Sequence, residues 1–272
     1  MGSRRVRGRS ARNAGYRRCH AGRVTIDLNS DLGEGFGAWR MGDDAALLDL
    51  VTSANIACGF HGGDPGIMRR TCEAAVARGV RIGAHVSYRD LAGFGRRAMS
   101  VPPAELADEC LYQIGALAAF ARAAGDRVRY VKPHGALYHA AAGDRALADA
   151  VVAATVAAGV PAVLGPPGSQ LLAAAAAAGL EHYGEGFADR AYTPAGGLVA
   201  RELPGSVLPL EAALAQAVSI ATAGTATDVD GAPVPVAARS LCVHGDSPGA
   251  VDMARAIRDA LIGNGIELRP FS

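Results

Sequence analysis

Short apolar runs alternate along this chain with longer Ala-rich stretches whose apolar residues recur at helical spacing. Seven runs read as strands: Val24–Leu28, Ser53–Cys58, Val80–His85, Val128–Lys132, Ala162–Leu164, His182–Phe187 and Ser240–His244. Helical spacing fills about 43–51, 66–78, 104–124, 144–158, 169–178, 210–222 and 248–263 between them. Asp64-Pro65 and Ser247-Pro248 place a capping side chain before a proline suited to a first helical turn. Gly79, Gly125, Gly159, Gly179 and Gly265 stand where helices should stop. Strand–helix alternation of this kind implies parallel strands joined by right-handed crossovers. With seven units and no dividing linker, the pattern predicts an α/β fold over 23–272: one closed or nearly closed parallel barrel. A doubly wound open sheet shares the alternation and is the competing architecture. Residues 192–209 and 224–238, bearing Gly and Pro, read as loops or hairpins added to the framework.

The polar residues gather at the strand ends. Strand one runs through Asp27-Leu28-Asn29-Ser30-Asp31, with Val24, Ile26 and Leu28 facing helices and Asp27, Asn29 and Asp31 facing the barrel interior. Strand two delivers Asn55, His61 and Asp64, and strand three ends at His85. Strand four ends Lys132-Pro133-His134, strand six carries Glu185 toward Asp189-Arg190, and strand seven ends His244-Gly245-Asp246. In parallel α/β folds the C-terminal strand edge carries the chemistry, because the loops there converge on one face. Stability alone does not explain ionisable groups on six separate strand ends, so the rim reads as an active site.

Individual residues keep plainer readings. Asp27 could bond only backbone amides, Glu34 in its Gly-rich turn could be solvated, and Asp64 could simply cap a helix. His61, His85, His134 and His244, with Asp64 or Asp246, could supply ligands for one divalent ion. No fixed-spacing motif such as H-E-x-x-H fixes that assignment, and the same groups could bind a carboxylate or move protons. His20 and His182 look incidental, and His139 is expected to begin a helix rather than reach the site.

Composition sharpens this picture at one residue. All but one of the 27 basic residues are arginine, and the exception is Lys132. A lysine is a compact point charge whose pKa moves readily on burial, unlike the planar, always-charged guanidinium. Residues 1–23 hold eight arginines and no acid, leaving the remaining chain with 19 basic and 26 acidic side chains. Residues 1–22 are therefore expected to be a disordered basic tail, without the apolar segment of a secretory signal. The acidic body has no basic stripe for nucleic acid, and no apolar run is long enough for a bilayer. Five scattered cysteines without a C-x-x-C pair suit reduced thiols in the cytoplasm, with Cys58 a packed thiol. There is no phosphate-binding G-x-x-x-x-G-K motif and no G-x-S-x-G elbow. Gly165-Pro166-Pro167-Gly168-Ser169 reads as a turn and cap.

Taken as a set, several segments resemble the LamB/YcsF family. They are Asp27-Leu28-Asn29-Ser30-Asp31-Leu32-Gly33-Glu34-Gly35, Ser53-Ala54-Asn55-Ile56-Ala57-Cys58-Gly59-Phe60-His61 and Gly83-Ala84-His85. Val131-Lys132-Pro133-His134-Gly135-Ala136-Leu137-Tyr138, Phe187-Ala188-Asp189-Arg190-Ala191-Tyr192 and Cys242-Val243-His244-Gly245-Asp246 complete it, in family order. The resemblance implies a seven-stranded barrel related to polysaccharide-deacetylase-like folds. It implies ATP-dependent opening of 5-oxo-L-proline to L-glutamate together with two partner subunits, with ATP as co-substrate at a site this chain does not reveal. In that chemistry Lys132 would stabilise oxygen charge, while Asp31, His61 and His134 would handle protons. Arg190 would clamp the substrate carboxylate, and Asp27, Asn29, Asn55, His85, Glu185 and His244 would bind or orient. A stand-alone metal-dependent amidase or deacetylase and a non-catalytic lactam- or carbohydrate-binding regulator are the alternatives.

Overall fold

A computed structural model describes residues 24–243 and 249–272. The basic tail with Cys19 and His20, the strand end at His244 and Asp246, and the Ser247-Pro248 cap lie outside the described residues. Six parallel strands follow one another: β1 Thr25–Leu32, β2 Ser53–Ala57, β3 Arg81–Val86, β4 Val128–Pro133, β5 Ala162–Gly165 and β6 Glu181–Phe187. A hairpin of β7 Thr225–Thr227 and β8 Pro233–Pro235 stands apart, in the stretch expected to be added to the framework. β9 Ser240–Cys242 then pairs in parallel with both β6 and β1, closing a seven-stranded barrel and excluding the open sheet. Ser240 consequently sits opposite Asp27 on one side and Glu185 on the other. A short β10, Glu267–Leu268, extends the start of β1.

Eight helices are described: α1 Asp44–Leu48, α2 Pro65–Ala77, α3 Pro103–Ala123, α4 Gly135–Gly143, α5 Arg145–Ala157, α6 Gln170–Ala177, α7 Leu210–Ala223 and α8 Ala250–Gly263. Asp64 caps α2 by accepting from the Ile67 amide at 2.8 Å, and Ser169 caps α6, as their positions suggest. The outward strand residues Leu28, Ile56, Ile82 and Val131 share one buried apolar core with helix residues such as Leu106, Ile114 and Leu117 of α3.

Two boundaries depart from the sequence reading. β1 runs on to Leu32, because Asn29, Ser30 and Asp31 continue the extended register although they are polar. A strand with a polar interior loses the apolar signal that marks it. α4 is an addition: it starts directly at the end of β4, with His134 at its cap position making no side-chain cap bond. Without a capping residue or an apolar stripe, only the helix propensity of its alanines marks such an element.

Candidate active site

The inward faces of the strands build polar layers up the barrel. At the bottom, Asp27 is fully buried and accepts from Thr52 Oγ1 and Ser53 Oγ at 2.6 Å each, and from Ser240. Burial pushes its carboxyl up to about 6 despite those bonds. One layer higher, Asn29 donates to Ser240 Oγ at 2.6 Å and accepts from Asn55 Nδ2 at 2.7 Å. The Tyr130 hydroxyl donates to Asn55 Oδ1 at 2.7 Å. That ring has room only because residue 83 is glycine, where any Cβ would collide with it.

The next layer holds the lone lysine. Lys132 Nζ lies 2.9 Å from Asp31 Oδ1 and 2.9 Å from Glu185 Oε1, with Cys242 Sγ at 3.5 Å. Burial favours the neutral amine, but Asp31 and Glu185 outweigh it and hold Lys132 well above its ordinary range. It is a fixed cation, unsuited to act as nucleophile or base. Burial would raise Asp31, yet the charges of His85 and Lys132 hold it well below the usual carboxylate range. Burial keeps the Cys242 thiol protonated, well above its ordinary value.

Over these residues sit three imidazoles and a carboxylate. Glu34 Oε1 lies 3.0 Å from His61 Nε2 and 3.3 Å from His134 Nδ1. His85 Nε2 lies 3.0 Å from His134 Nδ1 and 3.2 Å from Asp31 Oδ2, joining this cluster to the lysine layer. The rings of His61 and His134 stack at 3.8 Å between centroids. Burial, reinforced by neighbouring imidazoles, holds both well below their ordinary pKa, hence neutral. Ligand atoms of Glu34, His61, His85 and His134 all lie within 4.8 Å of one another, a group able to hold a metal ion.

A loop after β3 holds this cluster in place. Asp90 accepts from the Gly93 amide at 2.9 Å and pairs with Arg97, and Phe94 adopts φ +54°. Left-handed backbone at a non-glycine residue is a strain found mostly at functional sites. Here it aims the Phe94 carbonyl at His134 Nε2, 2.9 Å away. Gly95 follows at φ +65°, tight against His61 and His134.

The cluster opens into a cavity of about 340 Å³. Asp31, Glu34, His85, Lys132 and His134 line its floor, and Arg96, Arg190, Arg201 and His139 contribute to its walls. Arg190 Nη2 donates to Val199 O at 2.6 Å and Nε to Ser206 O at 3.1 Å, so part of its fork holds the 199–206 segment.

The structure thus brings Asp31, His85, Lys132, His134, Glu185 and Arg190 to one place, with His61 buried behind Glu34. Asp27, Asn29 and Asn55 lie beneath the cavity and support it. Three expectations are corrected. Glu34 is buried against three histidines, not solvated, because the turn after β1 folds back over the barrel mouth. Asp64 stays outside the cluster, its oxygens taken by the Ile67 and Gly37 amides at 2.8 Å. His139 reaches the cavity wall from within α4. Tyr130, Ser240 and Cys242 join the site without having stood out in the sequence, although period-2 alternation with Lys132 marks Tyr130 as inward.

The LamB/YcsF family profile matches residues 26–272. A protein of Nocardia farcinica named as a 5-oxoprolinase subunit is 66% identical over 249 residues, covering 91% of this chain and 100% of the relative. One of the same name from Streptomyces griseus is 61% identical over the same shares. A crystal structure of the lactam utilization protein from Thermus thermophilus superposes with a TM-score of 0.86 at 44% identity, covering 91% of this chain and 100% of that one.

Proposed function

The chain belongs to the LamB/YcsF family, and on that premise we propose that it is the lactam-opening subunit of an ATP-dependent 5-oxoprolinase. The observation that carries this reading is the buried Lys132, held by Asp31 beside it and by Glu185 behind, at the floor of a cavity sized for a small molecule. A five-membered lactam resists water because amide resonance makes its carbonyl a poor electrophile. ATP overcomes this by phosphorylating the lactam oxygen, with release of ADP. Water adds to the activated carbon, the ring C–N bond breaks as nitrogen takes a proton, and a second water releases phosphate and L-glutamate.

Lys132, kept charged, faces the oxygen on which negative charge develops, a preorganised contribution of the oxyanion-hole kind. Asp31, kept ionised and lining the cavity, accepts from the lactam N–H or the attacking water. Arg96, Arg190 and Arg201 on the wall attract the substrate carboxylate. Two partner subunits share the phosphorylation, and the nucleotide site is left to the assembled complex. Buried reduced cysteines fit a cytoplasmic enzyme, and among the described residues no helix is long and apolar enough to cross a membrane.

The test is co-expression with the two partner subunits and an assay for ADP and glutamate on 5-oxoproline, with and without ATP. Turnover that needs ATP and vanishes in a folded Lys132→Arg variant is expected. Full activity in that variant rejects the role of Lys132. The Glu34–histidine cluster favours a second reading, a metal-dependent amidase, which ATP-independent turnover by the isolated chain would select.

A further inference from the structure

Ring nitrogens of His61, His85 and His134 and a carboxylate oxygen of Glu34 converge on one small volume, all within 4.8 Å of one another. His85 Nδ1 lies 3.0 Å from the Lys132 carbonyl, and His134 Nε2 lies 2.9 Å from the Phe94 carbonyl. A carbonyl only accepts, so each of these nitrogens carries the N–H. The other nitrogen of each ring is then turned into the cluster. Those two nitrogens, His85 Nε2 and His134 Nδ1, are 3.0 Å apart. Glu34 Oε1, a further acceptor, stands 3.3 Å from one and 3.9 Å from the other. Ligand atoms this close in a buried site call for a positive partner among them, a proton or a metal ion.

We infer that Glu34, His61, His85 and His134 hold one divalent transition-metal ion. Ligand atoms about 2.0–2.1 Å from a tetrahedral ion are about 3.3 Å from one another. The spacings of 3.0, 3.0, 3.3 and 3.9 Å among Glu34, His61, His85 and His134 are edges of that size. The N–H of His85 and of His134 donated to a backbone carbonyl is the outer contact that orients metal-bound imidazoles. Three imidazoles and one carboxylate select Zn²⁺, Co²⁺ or a similar ion over Mg²⁺ or Ca²⁺. In this arrangement His61 and His134 are ligands and not the proton carriers that sequence alone suggests. The inference does not rest on the lactam reading, since it concerns the isolated chain.

The test begins with the full chain purified without chelator, whose metal content is measured by elemental analysis. After chelation, Zn²⁺ and Co²⁺ are titrated back, following the visible Co²⁺ bands and the melting temperature. One ion per chain, intense tetrahedral Co²⁺ bands and a melting temperature that rises with metal are expected. Glu34→Gln and His134→Ala should each weaken Zn²⁺ binding by about 100-fold or more, since even outer contacts are worth roughly 10–100-fold. His182→Ala, on an exposed histidine, should bind as the wild type does. Substoichiometric metal with no Co²⁺ bands would overturn the inference and leave an added proton on His85 or His134 as the filler. Unchanged affinity in the two ligand variants would also overturn it. If those variants fail to fold, X-ray absorption on the Co²⁺-loaded wild type still decides, by finding or not finding three coordinated imidazoles. Metal bound without 5-oxoproline turnover in the full complex would sink the lactam reading alone.

Discussion

Replacing Lys132 by methionine keeps side-chain length and apolar stem and removes the charge. The side chain of Glu185 is fully buried and that of Asp31 is 18% exposed, so neither carboxylate can recover its hydration when the ammonium goes. Removing one partner from a buried ion pair costs about 3–5 kcal/mol, mostly the cost of the charge left behind. At about 2–4 °C per kcal/mol for a domain of this size, the melting temperature should fall by roughly 6–20 °C. Glu185→Gln in the same chain removes one orphaned charge, and the double variant should recover about 1–3 kcal/mol. The pH profile gives an independent check. Asp31 has its folded pKa depressed, so its contribution is present above its unfolded pKa of about 3.9 and is lost as pH falls through the folded value. Lys132 has its pKa raised, so its contribution is whole below about 10.4 and is lost only as pH rises through the folded value. Between about pH 5 and 9 both are intact in the wild type. In the variant the unpaired carboxylates take up protons more readily, so its deficit should narrow as pH drops from about 8 to 5. Chemical denaturation of the four proteins of this cycle across that range measures it. A deficit under about 1 kcal/mol, or one that neither pH nor Glu185→Gln alters, would refute the coupling.

Asp27 predicts the opposite trend. A carboxyl raised from 3.8 to about 6, at about 1.36 kcal/mol per unit, makes wild-type stability decline by about 3 kcal/mol as pH rises from about 4 to 7. Asp27→Asn should flatten that part of the curve, which denaturant titrations across the same range would show. Gly95→Ala sets a Cβ 2.8 Å from His134 Cδ2 and 2.9 Å from His61 Cβ on left-handed backbone. It should cost about 1–3 kcal/mol and lower kcat more than a melting curve would suggest. Arg190→Lys loses the fork that holds the Val199 and Ser206 carbonyls. KM should rise roughly tenfold, about 1.4 kcal/mol, with kcat less affected, as steady-state assays of the complex would reveal.

The barrel was legible because burial on both faces of a parallel sheet leaves short apolar runs, and Ala-rich spacing marks the helices between them. Lys132 and His134 were legible as a pair because residues two apart on a strand share a face, and the cavity receives both. Glu34 was not, since nothing local distinguishes a carboxylate folded over a barrel mouth from one in solvent. The fold-back depends on long-range contacts, such as the Gly63 amide bonded to the Gly35 carbonyl at 2.7 Å. Asp64 misled for the converse reason: its local role as a cap consumed the oxygens that a metal would need. His139 required knowing that α4 begins at once after β4, which turns its face toward the cavity.

Beneath the cavity, the polar layers act as one hydrogen-bonded path. The Tyr130 hydroxyl donates to Asn55 Oδ1, which fixes the amide so that Nδ2 donates both to Asp31 and to Asn29. Asn29 in turn donates to Ser240, and Ser240 to Asp27. Every donor along the path leads away from Tyr130, and the path ends only at two carboxylates, which accept alone when ionised. The order of protons is therefore unique, and no amide in it can flip without setting acceptor against acceptor. Asp31 receives the upper end of that path at 2.8 Å, Lys132 meets it at 2.9 Å and His85 at 3.2 Å. Three contacts from beneath, beside and above leave its carboxylate no rotamer to choose. A carboxylate so fixed cannot follow a substrate; the lactam must come to it, which is the preorganisation that electrostatic catalysis requires.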